Sequence, residues 1–219
     1  MVAIDGPAGA GKSTVASYLA RRFGLLNLET GAMYRALALK ALWSDVDADS
    51  AEAVFLLTQS TTIQLEPEMN GNRVLLDGVD VTDAIRTANV TAAASRVSVH
   101  APVREWMVTA QRALGGASIA GVVMEGRDIG TVVFPDATVK LFLDASPEAR
   151  GERRFEQQGT DGMSREQVVG EMKQRDERDR SREQSPLVPA PDAILLDTTS
   201  MTLAEVLAES ERIVGKQLP

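Results

Sequence analysis

A segment close to the N terminus, residues 6–13, limits the fold of this chain more than any other feature. It reads Gly-Pro-Ala-Gly-Ala-Gly-Lys-Ser and matches the pattern G-x-x-x-x-G-K-[ST] at every fixed position. A short strand-like run, residues 2–5, precedes it, and apolar residues recur at helical spacing from residue 13 to residue 23. A glycine-rich loop between a strand and a helix turns backbone N–H groups and the positive helix end toward one point. The sequence therefore predicts a phosphate-binding loop.

Two side chains at the end of this loop suit a nucleoside triphosphate. Lys12 adds a full positive charge for the β and γ phosphates, and the hydroxyl of Ser13 is a ligand for Mg²⁺. These residues indicate that a triphosphate is bound, but not what is done with it.

The remainder of the chain continues the alternation of strand and helix. The predicted strands are residues 2–5, 25–28, 119–124, 139–143 and 194–196. The last three runs are apolar except for Lys140, as buried parallel strands are. We therefore predict an α/β fold with a five-stranded parallel sheet flanked by helices, and ligands at the carboxyl ends of its strands.

One region departs from this alternation. Residues 62–81 contain two strand-like runs on either side of Asn70-Gly71-Asn72, a turn signal, and they follow a helix predicted near residues 50–60. They predict a small antiparallel insertion. Residues 87–114 are helical in pattern but contain Pro102, so two helices are expected there.

Composition excludes several kinds of chemistry. The chain has 219 residues, no cysteine and one histidine, so it lacks a disulfide framework, a thiolate nucleophile and an imidazole pair for zinc. No apolar run is long enough to span a membrane. The first residues have no basic segment followed by an apolar one, as a secretory leader has, so we expect a cytoplasmic location.

The charge pattern favours a small phosphorylated ligand over a nucleic acid. The net charge is −8, and the 23 basic residues divide into eighteen arginines and five lysines. Eight of these arginines lie between residues 150 and 182. Arginine is favoured where planar donors meet phosphate, whereas a protein that binds a nucleic acid polymer is expected to be basic overall or rich in stacking aromatics. We expect no polymeric nucleic acid partner.

The triphosphate loop is compatible with several classes of protein. The GTPase patterns D-x-x-G and N-K-x-D are absent from the sequence, and a motor or transport ATPase would be longer. A small kinase remains, in which the loop holds the donor and an arginine-rich surface holds a phosphorylated acceptor. A regulatory module that senses ATP without phosphoryl transfer is the alternative from another class.

Several further motifs together resemble the bacterial cytidylate kinase family, whose members phosphorylate CMP and dCMP, and the resemblance covers nearly the whole chain. Besides the loop, it rests on Thr-Gly-Ala-Met-Tyr-Arg at residues 30–35, on Glu-Gly-Arg-Asp at residues 125–128 with residues 130–137, and on residues 175–182. The insertion matches the family's enlarged monophosphate-binding region. One departure is Glu29, which stands where the family usually has aspartate.

The resemblance implies a role for each matching residue. Arg35 and Arg127 would bind the acceptor's α phosphate, and Arg182 would lie beside that phosphate or the base. Ser95, Arg104 and Asp128 would read the cytosine edge, Arg175 and Asp179 the sugar hydroxyls, and Arg153 would cover the adenine of ATP. Thr30 would contribute to the acceptor pocket. Residues implied in catalysis are Lys12, Arg35, Arg127, Arg175 and Arg182; those implied in ATP binding are Gly6, Pro7, Ala8, Gly9, Ala10, Gly11, Lys12, Ser13, Thr14 and Arg153.

The residues themselves support part of this assignment. Arg35 and the pair Arg127-Asp128 follow predicted strands, so they should face the loop. A carboxylate at residue 128 can accept the hydrogens of the 4-amino group of cytosine, while the oxygen of uracil would be repelled. The plainer interpretation is that Arg175, Asp179 and Arg182 lie on a solvated helix face, and that Ser95 and Arg104 lie on the exposed side of a helix.

The expected domain organisation is a single kinase domain. Its core would comprise residues 1–30, 87–150 and 183–219, with a monophosphate-binding region at about 31–86 and a lid at about 151–164 that orders on nucleotide binding and excludes water. We expect a monomer that uses ATP with Mg²⁺ and CMP or dCMP. Kinases of UMP, dTMP, shikimate or dephospho-coenzyme A share the loop and the lid, so they stay open as alternatives.

Overall fold

The structure is a computed structural model, and it describes residues 1–68, 71–158 and 164–218, with the side chains of residues 157 and 158 left out. The strands are β1 Val2–Asp5, β2 Leu26–Glu29, β3 Ile63–Glu68, β4 Gly71–Leu76, β5 Val79–Asp80, β6 Val122–Gly126, β7 Val139–Asp144 and β8 Ile194–Asp197. The helices are α1 Lys12–Phe23, α2 Thr30–Trp43, α3 Ala51–Thr58, α4 Ala88–Val97, α5 Ala101–Gly116, α6 Pro147–Gln158, α7 Arg165–Arg180 and α8 Leu203–Gly215.

The predicted α/β fold with a five-stranded parallel sheet is confirmed. The strand order is β2-β6-β1-β7-β8. β1 pairs in parallel with β6 and β7, and β7 pairs in parallel with β8. Asp5, the last residue of β1, lies opposite Gly126, the last residue of β6. The chain therefore leaves both strands at the same edge of the sheet.

The chain divides into two compact units, residues 1–25 with 123–219 and residues 26–122. In the first unit, β1 and β7 pack with α1 and α8 around Ile4, Leu19, Leu141 and Val214, all of which are buried. The periodicity of α1 explains this packing, because its apolar residues recur on one face. The predicted division into core, monophosphate-binding region and lid stays a prediction.

The second unit combines helices with the antiparallel insertion. α2 packs against α4, and α3 packs against α5. β3 pairs antiparallel with β4, with Leu65 opposite Val74, and β4 pairs antiparallel with β5. The predicted insertion and the two helices on either side of residues 98–100 are thus confirmed. Residues 69 and 70, which include part of the predicted turn, lie outside the described residues.

One predicted strand boundary was wrong. The strand predicted at residues 119–124 begins at Val122, and Ile119 is fully exposed. Gly121 has a φ of 81°, which turns the chain sharply just before the strand. Residues 151–158, the first part of the predicted lid, lie in α6, and the lid stays a prediction. Gly151 lies against Val169 of α7, so close that a β carbon would lie 2.4 Å from its side chain. Residues 159–163 lie outside the described part of the chain.

Candidate active site

The loop between β1 and α1 has a backbone that only glycine permits at its ends. Gly6 has a φ of 145°, and a β carbon there would lie 2.0 Å from the carbonyl oxygen of Leu143. Gly11 has a φ of 92° and is the N-cap residue directly before α1. Both conformations are strained for other residues. The fixed glycines of the motif are therefore required by the shape of the loop.

The N terminus of α1 is suited to bind an anion. Among the described residues, no side chain caps this end at Gly11, so the first-turn N–H groups are left for another acceptor. Ser13 and Thr14 lie in this first turn and are exposed. The hydroxyl of Ser13 is a hard oxygen ligand of the kind that Mg²⁺ prefers, and Mg²⁺ commonly binds one or two protein oxygens together with substrate phosphates. The loop thus fits a magnesium triphosphate.

Lys12 is folded back onto the loop. It is buried, and its ammonium group donates a hydrogen bond of 2.7 Å to the carbonyl oxygen of Pro7. Burial lowers the pKa of Lys12, and the positive charges of Arg127 and Arg175 lower it further. Lys12 therefore lies in the same electrostatic field as two of the arginines predicted for the acceptor. Such a concentration of positive charge favours a polyphosphate ligand.

Asp179 on α7 lies between two of the predicted arginines. Nε of Arg127 donates a hydrogen bond of 2.9 Å to one oxygen of Asp179, and Arg182 donates to the other. Burial raises the pKa of Asp179, but the positive charges of Arg127, Arg182 and Arg175 outweigh it, so the pKa lies below its usual value. The carboxylate is buried, which excludes the plainer interpretation of a solvated helix face for this residue.

Arg153 lies on α6 and contacts the segment that follows β8. Its guanidinium donates a hydrogen bond of 2.9 Å to the hydroxyl of Thr198 and another to the carbonyl oxygen of the same residue. Thr198 is fully buried. The structure therefore fixes this arginine against the segment after β8, while its predicted role over adenine stays a prediction.

The predicted cytosine reader, Asp128, directly precedes a short π-helical turn, Ile129–Val133. The carbonyl oxygen of Asp128 accepts hydrogen bonds from the N–H groups of Val132 and Val133, at 2.9 and 3.1 Å. Asp128 is itself buried. This turn was not predicted from the sequence, because five residues of β-branched and glycine character carry no helical signal.

In the second unit, Arg35 is held by Glu29. The guanidinium donates to the carboxylate of Glu29, and both side chains are largely buried. The N–H of Glu29 donates a hydrogen bond of 2.9 Å to the side-chain oxygen of Asn72, whose amide in turn donates to the carbonyl oxygen of Asn27 at 2.7 Å. Asn72 on β4 thus fixes the end of β2, and Glu29 fixes the arginine.

Thr30, Ser95 and Arg104, the other predicted acceptor residues of this unit, are all buried. Arg104 donates a hydrogen bond of 3.1 Å to the carbonyl oxygen of Ser98 and lies over the ring of Tyr34. The hydroxyl of Ser95 has no hydrogen-bond partner within the described part of the chain. Neither residue lies on an exposed helix face, so the plainer interpretation is wrong for both. A buried hydroxyl without a partner is compatible with a ligand contact.

Comparison with known proteins identifies the family. The family model described as cytidylate kinase matches residues 2–216. A cytidylate kinase of Enterococcus faecalis is 47% identical over 218 residues, which cover 99% of this chain and 96% of the relative. The chain belongs to the cytidylate kinase family. A second member, the cytidylate kinase of Solibacter usitatus, is 49% identical over 222 residues and covers 100% of this chain and 93% of its own length.

A solved structure supports the fold of this cytidylate kinase family member. The crystal structure of TT1252 from Thermus thermophilus matches with a TM-score of 0.52 at 19% identity, and it covers 100% of this chain and 97% of its own. At that identity the likeness concerns the fold alone. No helix within residues 1–68, 71–158 and 164–218 is both long and apolar enough to cross a membrane.

Sequence reasoning missed Arg150 on α6, which hydrogen-bonds to the phosphate-binding loop of this family member. The side chain is 1% exposed. Nη1 donates a hydrogen bond of 2.8 Å to the carbonyl oxygen of Ala8, Nε donates one of 2.8 Å to that of Ala145, and Nη2 pairs with Asp176 on α7. In an arginine-rich stretch, composition does not show which arginine is buried; only its packing distinguishes Arg150.

Proposed function

We propose that this protein transfers the γ phosphoryl group of ATP to CMP and dCMP, giving ADP with CDP or dCDP. The observation that carries this conclusion is membership of the cytidylate kinase family over residues 2–216, with the phosphate-binding loop intact. Phosphoryl transfer requires in-line positioning and stabilisation of charge more than any covalent chemistry by the protein. The residues around Lys12 supply both.

The donor half of the proposed site is the loop with the first turn of α1. Residues 6–11 and the N–H groups of Lys12, Ser13 and Thr14 surround the phosphates, and Lys12 leaves the carbonyl of Pro7 to contact them. Ser13 would hold Mg²⁺ through its hydroxyl. An ion held there would neutralise part of the charge on the phosphates. Arg153 covers the adenine.

The acceptor half of the proposed site has two groups of residues. Arg35 and Arg127 bind the phosphate of CMP, with Arg182 beside the phosphate or the base, and Arg175 and Asp179 contact the sugar. Thr30, Ser95, Arg104 and Asp128 line the base. Support comes from the low pKa of Asp179 among three arginines, because a concentration of guanidinium groups suits a dianionic phosphate.

No protein base is needed at the acceptor. The second pKa of a phosphate monoester is near 6, so the phosphate of CMP is already largely dianionic at neutral pH. The chain has a single histidine, His100, whose ring contacts the carbonyl oxygen of Ala48 at 2.8 Å in a packing role. The arginines and Lys12 compensate the charge as the phosphoryl group moves between two anions.

Other small acceptors and other classes of protein are not favoured. The curated relatives are cytidylate kinases and not kinases of UMP, dTMP, shikimate or dephospho-coenzyme A. A sensor that binds ATP without transfer would have no use for an acceptor phosphate site. The monomeric state, the cytoplasmic location and the lid at residues 151–164 stay predictions.

The deciding experiment is a coupled ADP-release assay with ATP and Mg²⁺. CMP, dCMP, UMP, dTMP, AMP, GMP and shikimate are offered separately. We expect fast turnover with CMP and dCMP and weak turnover with UMP. Activity centred on another acceptor would keep the donor site but cancel the substrate assignment, and inactivity with all of them would favour a sensor.

Arg127→Met tests the acceptor assignment directly. Methionine keeps much of the side-chain volume but removes the charged donors. We expect kcat/KM for CMP to fall by about 3 kcal/mol of transition-state stabilisation or more, because a charge-assisted contact to phosphate is lost. Steady-state kinetics at saturating ATP measures the fall. A rate near that of the wild type would contradict the assignment.

A further inference from the structure

Asp5 has a set of contacts that the proposed mechanism does not use. It is the last residue of β1, immediately before the phosphate-binding loop, and it is 5% exposed. Its Oδ1 accepts a hydrogen bond of 2.8 Å from the N–H of Ile129, and its Oδ2 accepts one of 2.7 Å from the N–H of Gly130. Both oxygens of one buried carboxylate therefore hold two consecutive backbone groups.

These two N–H groups need an acceptor from elsewhere in the chain. Ile129 and Gly130 open the π-helical turn, and the first N–H groups of a helical turn have no partner within it. The side chain of Asp128, the residue before the turn, does not cap it. The carboxylate of Asp5, on the neighbouring strand β1, accepts the hydrogen bonds of these two N–H groups instead. The backbone that follows Asp128 is consequently fixed by a residue more than a hundred positions away in sequence.

The space around this contact is tight. A β carbon at Gly130 would lie 3.1 Å from Cδ of Lys140 and 3.4 Å from Oδ2 of Asp5. A glycine at residue 130 therefore lets the turn approach the carboxylate closely. Asp128 lies near enough that its negative charge contributes to the raised pKa of Asp5. The Asp5 carboxylate therefore accepts hydrogen bonds from the turn and interacts electrostatically with Asp128, the residue predicted to read cytosine.

We propose that Asp5 is a positioning residue, which holds Asp128 at the acceptor base through the turn and so sets the preference for cytosine over uracil. This inference rests on the proposed function. Asp5 is joined to Gly6 by one peptide bond and to the turn by two hydrogen bonds, so it links the donor loop to the base-reading residue. Selectivity then depends on a residue that touches neither base nor phosphate.

Asparagine at residue 5 is the most informative change. It has nearly the same shape, but only one of its two terminal atoms accepts a hydrogen bond, and its NH₂ group would face one of the backbone N–H groups. The turn would lose one contact and shift away from the other. Glu205→Gln is the matched control, because that exposed carboxylate also accepts a backbone N–H, from Thr202 at 2.8 Å, and lies on α8, outside the proposed site.

The test compares kcat/KM for CMP and for UMP in the wild type, Asp5→Asn, Asp128→Asn and Glu205→Gln, with ATP saturating at pH 8. We expect Asp5→Asn to lower the CMP-to-UMP ratio about tenfold, the effect of one lost hydrogen bond of about 1.4 kcal/mol. The KM for CMP should rise more than the KM for ATP. Glu205→Gln should match the wild type.

The outcomes separate the inference from the proposed function. If the wild type does not phosphorylate CMP, the proposed function fails. If the wild type is active and Asp128→Asn lowers the ratio but Asp5→Asn leaves it unchanged, the inference on Asp5 is overturned. A loss of activity toward CMP and UMP by the same factor in Asp5→Asn also overturns it, because a general structural defect has that effect.

A measurement on the unchanged protein covers the case in which Asp5→Asn does not fold. Amide hydrogen exchange of the wild type, followed by NMR, reports directly on the two N–H groups. We expect the amides of Ile129 and Gly130 to exchange at least about a hundredfold more slowly than unprotected amides, since both are buried and hydrogen-bonded. Rapid exchange of both would overturn the inference whatever the variant does.

Discussion

At the scale of single residues, the buried charges of this protein are compensated in different ways. Asp179 is surrounded by arginines, so its carboxylate is held in the ionised form. Asp5 has backbone N–H groups as partners, and these offset burial only in part. Burial raises the pKa of Asp5 to about 6, although the two N–H groups and Lys12 act in the opposite direction. The contributions of these two carboxylates to the stability of the fold therefore change with pH in opposite directions.

The raised pKa of Asp5 predicts a pH dependence of stability. Between pH 4 and pH 6 the folded state binds more protons at this residue than the unfolded state does, so the free energy of unfolding falls as the pH rises. Across the whole titration of Asp5 the free energy of unfolding decreases by about 3 kcal/mol. About 1 kcal/mol of this decrease occurs between pH 5 and pH 6.5. Urea denaturation across that range measures it.

Asp5→Asn serves as the control for this prediction. Asparagine does not titrate, so the variant should lack this contribution to the slope even if it is less stable at every pH. The carboxylates with lowered pKa values, such as Asp179 and Asp80, lose their contribution below about pH 4 and leave this window unaffected. Equal slopes in the two proteins would show that Asp5 is not the group responsible.

At the scale of elements, the phosphate-binding loop depends on α6 and α7 for its shape. Arg150 of α6 binds the carbonyl of Ala8 and the carboxylate of Asp176, so the loop and both helices meet at one guanidinium. Ala8 also packs against Val168 and Met172 of α7. The segment that carries Arg175 and Asp179 is thereby attached to the donor loop by side chains as well as by the sheet.

Arg150→Met should destabilise the protein by about 3–5 kcal/mol, because it leaves the carboxylate of Asp176 buried without its partner. Urea denaturation measures the loss. The double variant Arg150→Met with Asp176→Leu should recover part of it, since no unpaired charge then remains. Arg212→Met is the matched control. It breaks an exposed pair with Glu209 and should cost less than about 1 kcal/mol. A similar cost for both single variants would contradict this account.

At the scale of the whole molecule, the proposed acceptor residues are divided between the two compact units. Residues 127, 128, 175, 179 and 182 belong to one unit, and residues 30, 35, 95 and 104 belong to the other. We expect CMP to bind the folded chain and not the unfolded one, because its proposed contacts are far apart in sequence. A ligand that binds only the folded state raises its stability by mass action.

CMP should therefore stabilise the protein against heat. At a concentration of 100 times its Kd the gain is about 2.7 kcal/mol, which is a readily measured shift in Tm. UMP at the same concentration should give a smaller shift because Asp128 repels its base oxygen, and cytidine should give a smaller one because it lacks the phosphate. Differential scanning fluorimetry measures all three. Equal shifts with CMP and UMP would contradict the assignment of Asp128.

The sequence by itself determined the fold class and the chemical class. The loop at residues 6–13 and the alternation of apolar runs are local patterns, and local patterns are visible in a sequence because backbone conformation depends on neighbouring residues. The motifs at residues 30–35 and 125–137 add the resemblance to cytidylate kinases. The roles of Arg35, Arg127 and Asp128 stay predictions.

Only the tertiary structure decided which polar residues are buried and what they contact. Asp5 meets Ile129 and Gly130 because β1 and β6 lie side by side, and Arg150 meets Ala8 because α6 packs behind the loop. The partners are more than a hundred residues apart, and nothing in either segment specifies the other. The contribution of a charged side chain to stability depends on its burial and its partners. The roles of Asp5 and Arg150 therefore could not be predicted from the sequence without the tertiary structure.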